Sequence, residues 1–192
     1  MAVVKLNPEP QNAIVFAGSS IFHFWTTLAD DMAPLLVINQ AFAGARMHSV
    51  FNAMDKLIIP YNPKIIVYYC GSNDINDGAE SYDILSGFEK FVSAVKDKLP
   101  PTIVYFVSIN KSPQKMDKWN VIDDSNEKIK NWCEETDRLC FIDINPPFFS
   151  GGQSRTNLFF EDGLHFQPEA YVEFTKIIKT FIEKEWKQLN EH

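Results

Sequence analysis

Ala13-Ile14-Val15-Phe16-Ala17-Gly18-Ser19-Ser20-Ile21 decides the fold. Five consecutive apolar residues, too few for a helix and ended by glycine, suit a strand buried on both faces. The serines after it stand where a strand turns into a helix. Four more runs of this kind follow: Leu35-Leu36-Val37-Ile38, Ile65-Ile66-Val67-Tyr68-Tyr69-Cys70, Ile103-Val104-Tyr105-Phe106-Val107 and Leu139-Cys140-Phe141-Ile142. Between them the spacing changes to three and four. Ile84, Leu85, Phe88, Phe91, Val92, Val95 and Leu99 make one helical stripe, stopped by Pro100-Pro101. Ile122, Ile129 and Trp132 mark a second helix over 121–132. Pro168 opens a third, whose apolar face is Tyr171, Phe174, Ile177, Ile178, Phe181 and Trp186.

Strands alternating with helices predict an α/β fold: a three-layer αβα sandwich around a five-stranded parallel sheet in the flavodoxin-like order 2-1-3-4-5. In that order strands one and three are neighbours at the switch point, where ligands bind beyond the carboxyl ends of the strands. Ser20 follows strand one and Asn73 follows strand three. The 192 residues make one domain, 1–192, the expected unit. Residues 145–161 show no regular pattern, and a loop that long is usually functional or disordered.

Composition narrows the partners. The chain is 45% hydrophobic and 22% charged, ordinary for a globular domain. A formal charge of −7 argues against nucleic acid, which calls for clustered Lys and Arg. No stretch reaches the roughly 18 apolar residues of a membrane span. Met1 to Pro8 shows no basic start with an apolar region behind it, so no secretory leader is read there. Cys70, Cys133 and Cys140 form no CxxC pair and read as reduced, buried thiols, which makes a cytoplasmic location the expectation.

Four short blocks carry chemistry if they converge: Gly18-Ser19-Ser20-Ile21, Gly44, Gly71-Ser72-Asn73-Asp74 and Asp162-Gly163-Leu164-His165. A serine hydroxyl needs a base to become a nucleophile. An imidazole can take and return the proton, and a carboxylate can hold its other nitrogen. His165 and Asp162, two residues apart, would sit on one tight turn. The order Ser, Asp, His is also one that α/β hydrolases use. Each block has a plainer reading by itself. The serines could cap a helix, Gly44 and Asn73-Asp74 could be turns, and His165 could lie on the surface. His23 has no neighbouring carboxylate in the sequence, His48 begins a helix, and His192 is the chain end.

Together the blocks resemble the SGNH, or GDSL-type, hydrolase superfamily, named for Ser, Gly, Asn and His in separate segments; here these are Ser20, Gly44, Asn73 and His165, with Asp162 three residues before the histidine. The resemblance runs from about Ala13 to the final helix and is nearest to small single-domain bacterial acylhydrolases. It implies a Ser20–His165–Asp162 triad and an oxyanion hole formed by the amides of Ser20 and Gly44 and the side chain of Asn73. It requires no metal and no cofactor. The one departure is Ser19, where the family has Asp; aligning the block selects Ser20 as the nucleophile.

The implied reaction is hydrolysis of a short-chain carboxylic ester through an acyl-Ser20 intermediate. The small-molecule substrate is left open among acetylated sugars, lysophospholipids, thioesters and aryl esters. Arg46, two residues past Gly44, either faces solvent or enters the pocket to bind an anionic group or pair with Asp74. Trp119, Phe148 and Phe159, with Phe149 and Phe160, read equally as pocket walls or as packing. Two other functions stay in view: a flavodoxin-like module seating a nucleotide or phosphate on the Gly18-Ser19-Ser20 loop, and a catalytically silent SGNH scaffold used for binding. The oligomeric state is not readable.

Overall fold

The computed structural model describes residues 10–190; the amino-terminal stretch tested for a leader and His192 lie outside it. In chain order the elements are β1 (Ile14–Gly18), α1 (Ser20–His23), α2 (Leu28–Met32), β2 (Val37–Asn39), α3 (Met47–Leu57), β3 (Ile65–Tyr69), α4 (Ser72–Asn76), α5 (Ser81–Lys98), β4 (Ile103–Val107), α6 (Trp119–Glu134), β5 (Leu139–Ile142), the hairpin β6 (Phe149–Ser150) and β7 (Gln153–Ser154), and α7 (Pro168–Asn190). The first five strands form one sheet in the order β2-β1-β3-β4-β5. All its pairings are parallel, with Ile14 beside Val37 and Ile65, and Ile65 beside Ile103. The expected class and strand order are those observed, and each expected run overlaps a strand, the second shifted from Leu35–Ile38 to Val37–Asn39.

Why the strands lack polar alternation is visible in the two cores. Phe16, Tyr69 and Tyr105 point to the face covered by α1 and α7, where they meet Phe22, Trp25, Phe166 and Phe174. Val15, Tyr68 and Phe106, one residue out of step, point to the face covered by α3, α5 and α6, against Phe88, Phe91 and Ile129. With helices on both faces, every residue of the three inner strands β1, β3 and β4 is buried, while the edge strands β2 and β5 are partly open. Each fully buried phenylalanine contributes about 1.5–3 kcal/mol. The stripe that predicted α5 is the row Ile84, Phe88, Phe91, Val92 and Val95, buried against the second of these cores.

Two features concern the rim of the sheet. Gly18 has φ +142° and a Cβ there would lie 1.8 Å from the Tyr69 carbonyl oxygen. Only glycine lets the end of β1 close on β3, and Ser19 N–H then bonds that same oxygen at 3.0 Å. The segment 145–161, read as patternless, contains the β6–β7 hairpin, with Phe149 paired to Ser154 and Ser150 to Gln153. Its turn is Gly151-Gly152, a two-residue hairpin signal present in the sequence and passed over. The cysteines are free thiols, and burial pushes Cys133 up to about 12, far from nucleophilic use.

Candidate active site

Ser20 is the first residue of α1, directly beyond the carboxyl end of β1, and is 8% exposed. Its Oγ lies 3.1 Å from His165 Nε2. On the other side of the ring, His165 Nδ1 lies 2.6 Å from Asp162 Oδ2. With the proton on Nδ1, the imidazole donates to the carboxylate and offers Nε2 to the serine hydroxyl. Ser19 occupies the N-cap position without a side-chain cap bond, so neither serine is spent on capping. Ser20 alone of the two faces the histidine.

Asp162 is held by more than the ring. Its Oδ1 accepts the backbone N–H of Leu164 and of His165, both at 2.9 Å. Desolvation acts to raise its pKa, but the bonds from the His165 ring and these two amides outweigh it and hold the carboxyl below its ordinary value. The turn itself is closed at its base: Phe159 bridges Phe166, and Phe160 N–H bonds the His165 carbonyl at 2.8 Å.

That closure corrects one expectation. Phe148 is fully buried and Phe159 5% exposed. The Phe148 ring stacks on Phe166 at 4.8 Å and the Phe159 ring meets it edge-on at 5.4 Å, planting the base of the Asp162–His165 turn in the core. Both rings support the turn from beneath; Phe148 lies wholly in the core, while Phe159 also edges a surface pocket with Phe160, Glu161 and Gly163. Trp119 packs on the loop that begins at Ser112. Its indole N–H donates to the Ser112 carbonyl and its ring meets Phe149 at 5.4 Å, on the α6 side. The half-exposed aromatic rings near the histidine are instead Phe24, 47% exposed, and Phe160, 49% exposed. Phe24 stands edge-on to the His165 ring at 5.2 Å.

Gly44 and Asn73 converge on the same rim. The chain leaving β2 runs along β1, with Gln40 N–H on the Phe16 carbonyl and Phe42 N–H on that of Gly18. Asn39 locks it to α1 through a 2.7 Å bond to the Phe22 carbonyl. Gly44 then takes φ +72°, a backbone that few side chains tolerate, with open space where its Cβ would be. Asn73, in the first turn of α4, donates one amide hydrogen to the Ala45 carbonyl at 2.9 Å. That bond fixes its plane, and the second hydrogen remains for another acceptor. Among the described residues, neither the Ser20 nor the Gly44 N–H has a hydrogen-bond acceptor.

Arg46 does not pair with Asp74, as one sequence reading had it; its guanidinium binds Asp77. Asp74 accepts the Met47 N–H at 3.2 Å. The arginine therefore ties the Gly44 loop to the end of α4, its fork already engaged by a carboxylate. The sequence reading missed Lys115. It is 3% exposed and its ammonium donates to the Ser72 carbonyl at 2.8 Å, while Gln114 N–H beside it bonds the Gly163 carbonyl at 3.0 Å. Desolvation lowers the lysine pKa despite nearby Asp77 and Asp117. Nothing in a Lys-rich stretch distinguishes a buried lysine from solvated ones. His23 and His48 stay outside: the first contacts the Ala41 carbonyl, the second Ser49.

This chain belongs to the GDSL-like lipase/acylhydrolase family, whose model matches residues 15–172. Among solved structures it is similar to a candidate acylhydrolase from Bacteroides fragilis, with 21% identity, 93% of this chain and 91% of that one covered and a TM-score of 0.81. A GDSL-like lipase from Bacteroides thetaiotaomicron matches at 18% identity over 91% of this chain and 89% of that one, with a TM-score of 0.78. A carbohydrate esterase family 3 protein from Talaromyces cellulolyticus matches at 15%, over 92% and 99%, with a TM-score of 0.72. No curated protein matches the sequence. Among the described residues no helix is long and apolar enough to cross a membrane.

Proposed function

We propose that this protein is a serine esterase that cleaves small carboxylic esters through an acyl-Ser20 intermediate. The observation that carries the reading is the chain of contacts from Ser20 Oγ to His165 Nε2 and from Nδ1 to Asp162. His165 takes the Ser20 proton as Oγ attacks the carbonyl carbon, and Asp162 stabilises the imidazolium. The oxyanion is met by the N–H groups of Ser20 and Gly44 and the free amide hydrogen of Asn73. His165 returns the proton to the leaving alcohol. Water, deprotonated by the same nitrogen, then releases the acid and regenerates Ser20.

Family membership supports acyl transfer as the reaction class. The rigid, aromatic-anchored turn supports catalysis over a silent scaffold, since a binding protein has no use for an oriented Asp–His pair. A phosphate-binding module would leave that pair idle as well. We assign the reaction to small, uncharged esters, because the arginine nearest the site is engaged by Asp77. The cytoplasm fits its unpaired thiols as a place of action.

A panel of aryl esters from acetate to decanoate, run on wild type and Ser20→Ala together, tests the reading. Turnover of the short esters should fall in the variant by at least about a thousandfold. Equal rates in both proteins, or no turnover of any ester, would overturn it.

A further inference from the structure

A groove of about 370 Å³ is lined by Phe24, Phe160, Phe166, Tyr171, Thr26 and Thr27, and the Phe24 ring in its wall also stands edge-on to the His165 imidazole. We propose that this groove is the leaving-group subsite, and that it selects esters of apolar alcohols, alkyl or benzylic. The assignment rests on the esterase reading above and follows from where protons must go. In acyl transfer the leaving oxygen takes its proton from His165, so it must approach the ring. The carbonyl oxygen points toward the amides, and the acyl group takes a different direction. A cavity that shares the Phe24 ring with the imidazole, at 5.2 Å, therefore receives the alcohol.

The lining gives the chemistry of that alcohol. No residue around the groove carries a charge. Its polar groups are largely engaged: the Tyr171 hydroxyl donates to the Ile21 carbonyl at 2.8 Å and the Thr27 hydroxyl to Asp31 at 2.7 Å. A sugar or a charged headgroup placed there would lose water without regaining hydrogen bonds, whereas an alkyl or phenyl group loses nothing. The two phenylalanine rings, about half exposed at the mouth of the cavity, give an alkyl or phenyl group apolar surface to bury. A volume of 370 Å³ is at the small end for ligand sites and fits a short chain or one ring.

The test uses acetate esters of methyl, butyl, hexyl and benzyl alcohols, whose leaving groups are comparable in basicity, with methyl hexanoate as the acyl-side comparison. The readout is the ratio of kcat/KM between hexyl or benzyl acetate and methyl acetate, so any general effect on His165 cancels. In wild type this ratio should be about tenfold or more. It should fall about fivefold to tenfold in Phe24→Ala and in Phe160→Ala, two substitutions at half-exposed positions that the fold tolerates, while the ratio of methyl hexanoate to methyl acetate stays within about twofold. Ser20-dependent turnover with an alcohol ratio unmoved by either variant overturns the groove assignment alone. So does a shift in the acyl ratio instead. If no ester is turned over in a Ser20-dependent way, the esterase reading falls and the subsite with it.

Discussion

At the scale of single residues, the account turns on which polar groups are left unspent. Asn73 uses one amide hydrogen to fix itself on the Ala45 carbonyl, and in the proposed reaction the other meets the oxyanion. Asn73→Ala should therefore lower kcat about 100- to 1,000-fold with KM changed far less, measured on a short aryl ester. Ser20 and Asn73 stand out in the sequence because each follows an apolar run, whereas Gly44, Asp162 and His165 are picked out by the resemblance to the four-block pattern. Spacing within one turn also fixes the relation of Asp162 to His165. Phe148 and Phe159 were not legible, because composition cannot separate a ring that plugs the core from one that lines a cavity. In the sequence Arg46 stays open between solvent and the pocket, and Asp74 is one candidate partner where Asp77 is the observed one. Two acids three residues apart, Asp74 and Asp77, offer it equal partners until α4 turns one away.

Elements bring those residues within reach, and two contacts between them decide how well. The first is the closure of β1 on β3 at Gly18. Gly18→Ala places a methyl group 1.8 Å from the Tyr69 oxygen and strains the backbone too. It should destabilise the protein by about 3–5 kcal/mol, read from denaturant melts. The second is Lys115, which joins the start of α4 to the loop packed on the Asp162 turn. Burial depresses its pKa in the fold, so the folded state holds its proton less tightly than the unfolded chain. Stability should then rise with pH as the folded-state value is passed on the way to the unfolded value of about 10.4. Thermal melts between pH 7 and 10 should show wild type gaining on Lys115→Met across that window. A constant difference would mean that the lysine is not desolvated. Helix and strand positions were readable from periodicity; this buried lysine, with no periodic or motif signature, was not.

For the whole molecule, the sheet order β2-β1-β3-β4-β5 places the ends of β1, β2 and β3 side by side, so segments far apart in sequence meet at one rim. Fully apolar strands implied helices on both faces, and the two cores bear that out. The path of residues 145–161 was the least legible part. Its rings are shared with α7 and the 159–166 turn, and such long-range packing leaves no local pattern. Everything in the proposed reaction depends on Ser20 being a hydroxyl activated by His165. A fluorophosphonate that reacts with activated serines tests this directly, with intact mass and peptide mapping as the readout. The folded wild type should gain one adduct, on Ser20, which disappears in Ser20→Ala and forms at least about a hundredfold more slowly in His165→Ala. An unlabelled wild type, or an adduct on Ser19, would contradict the account.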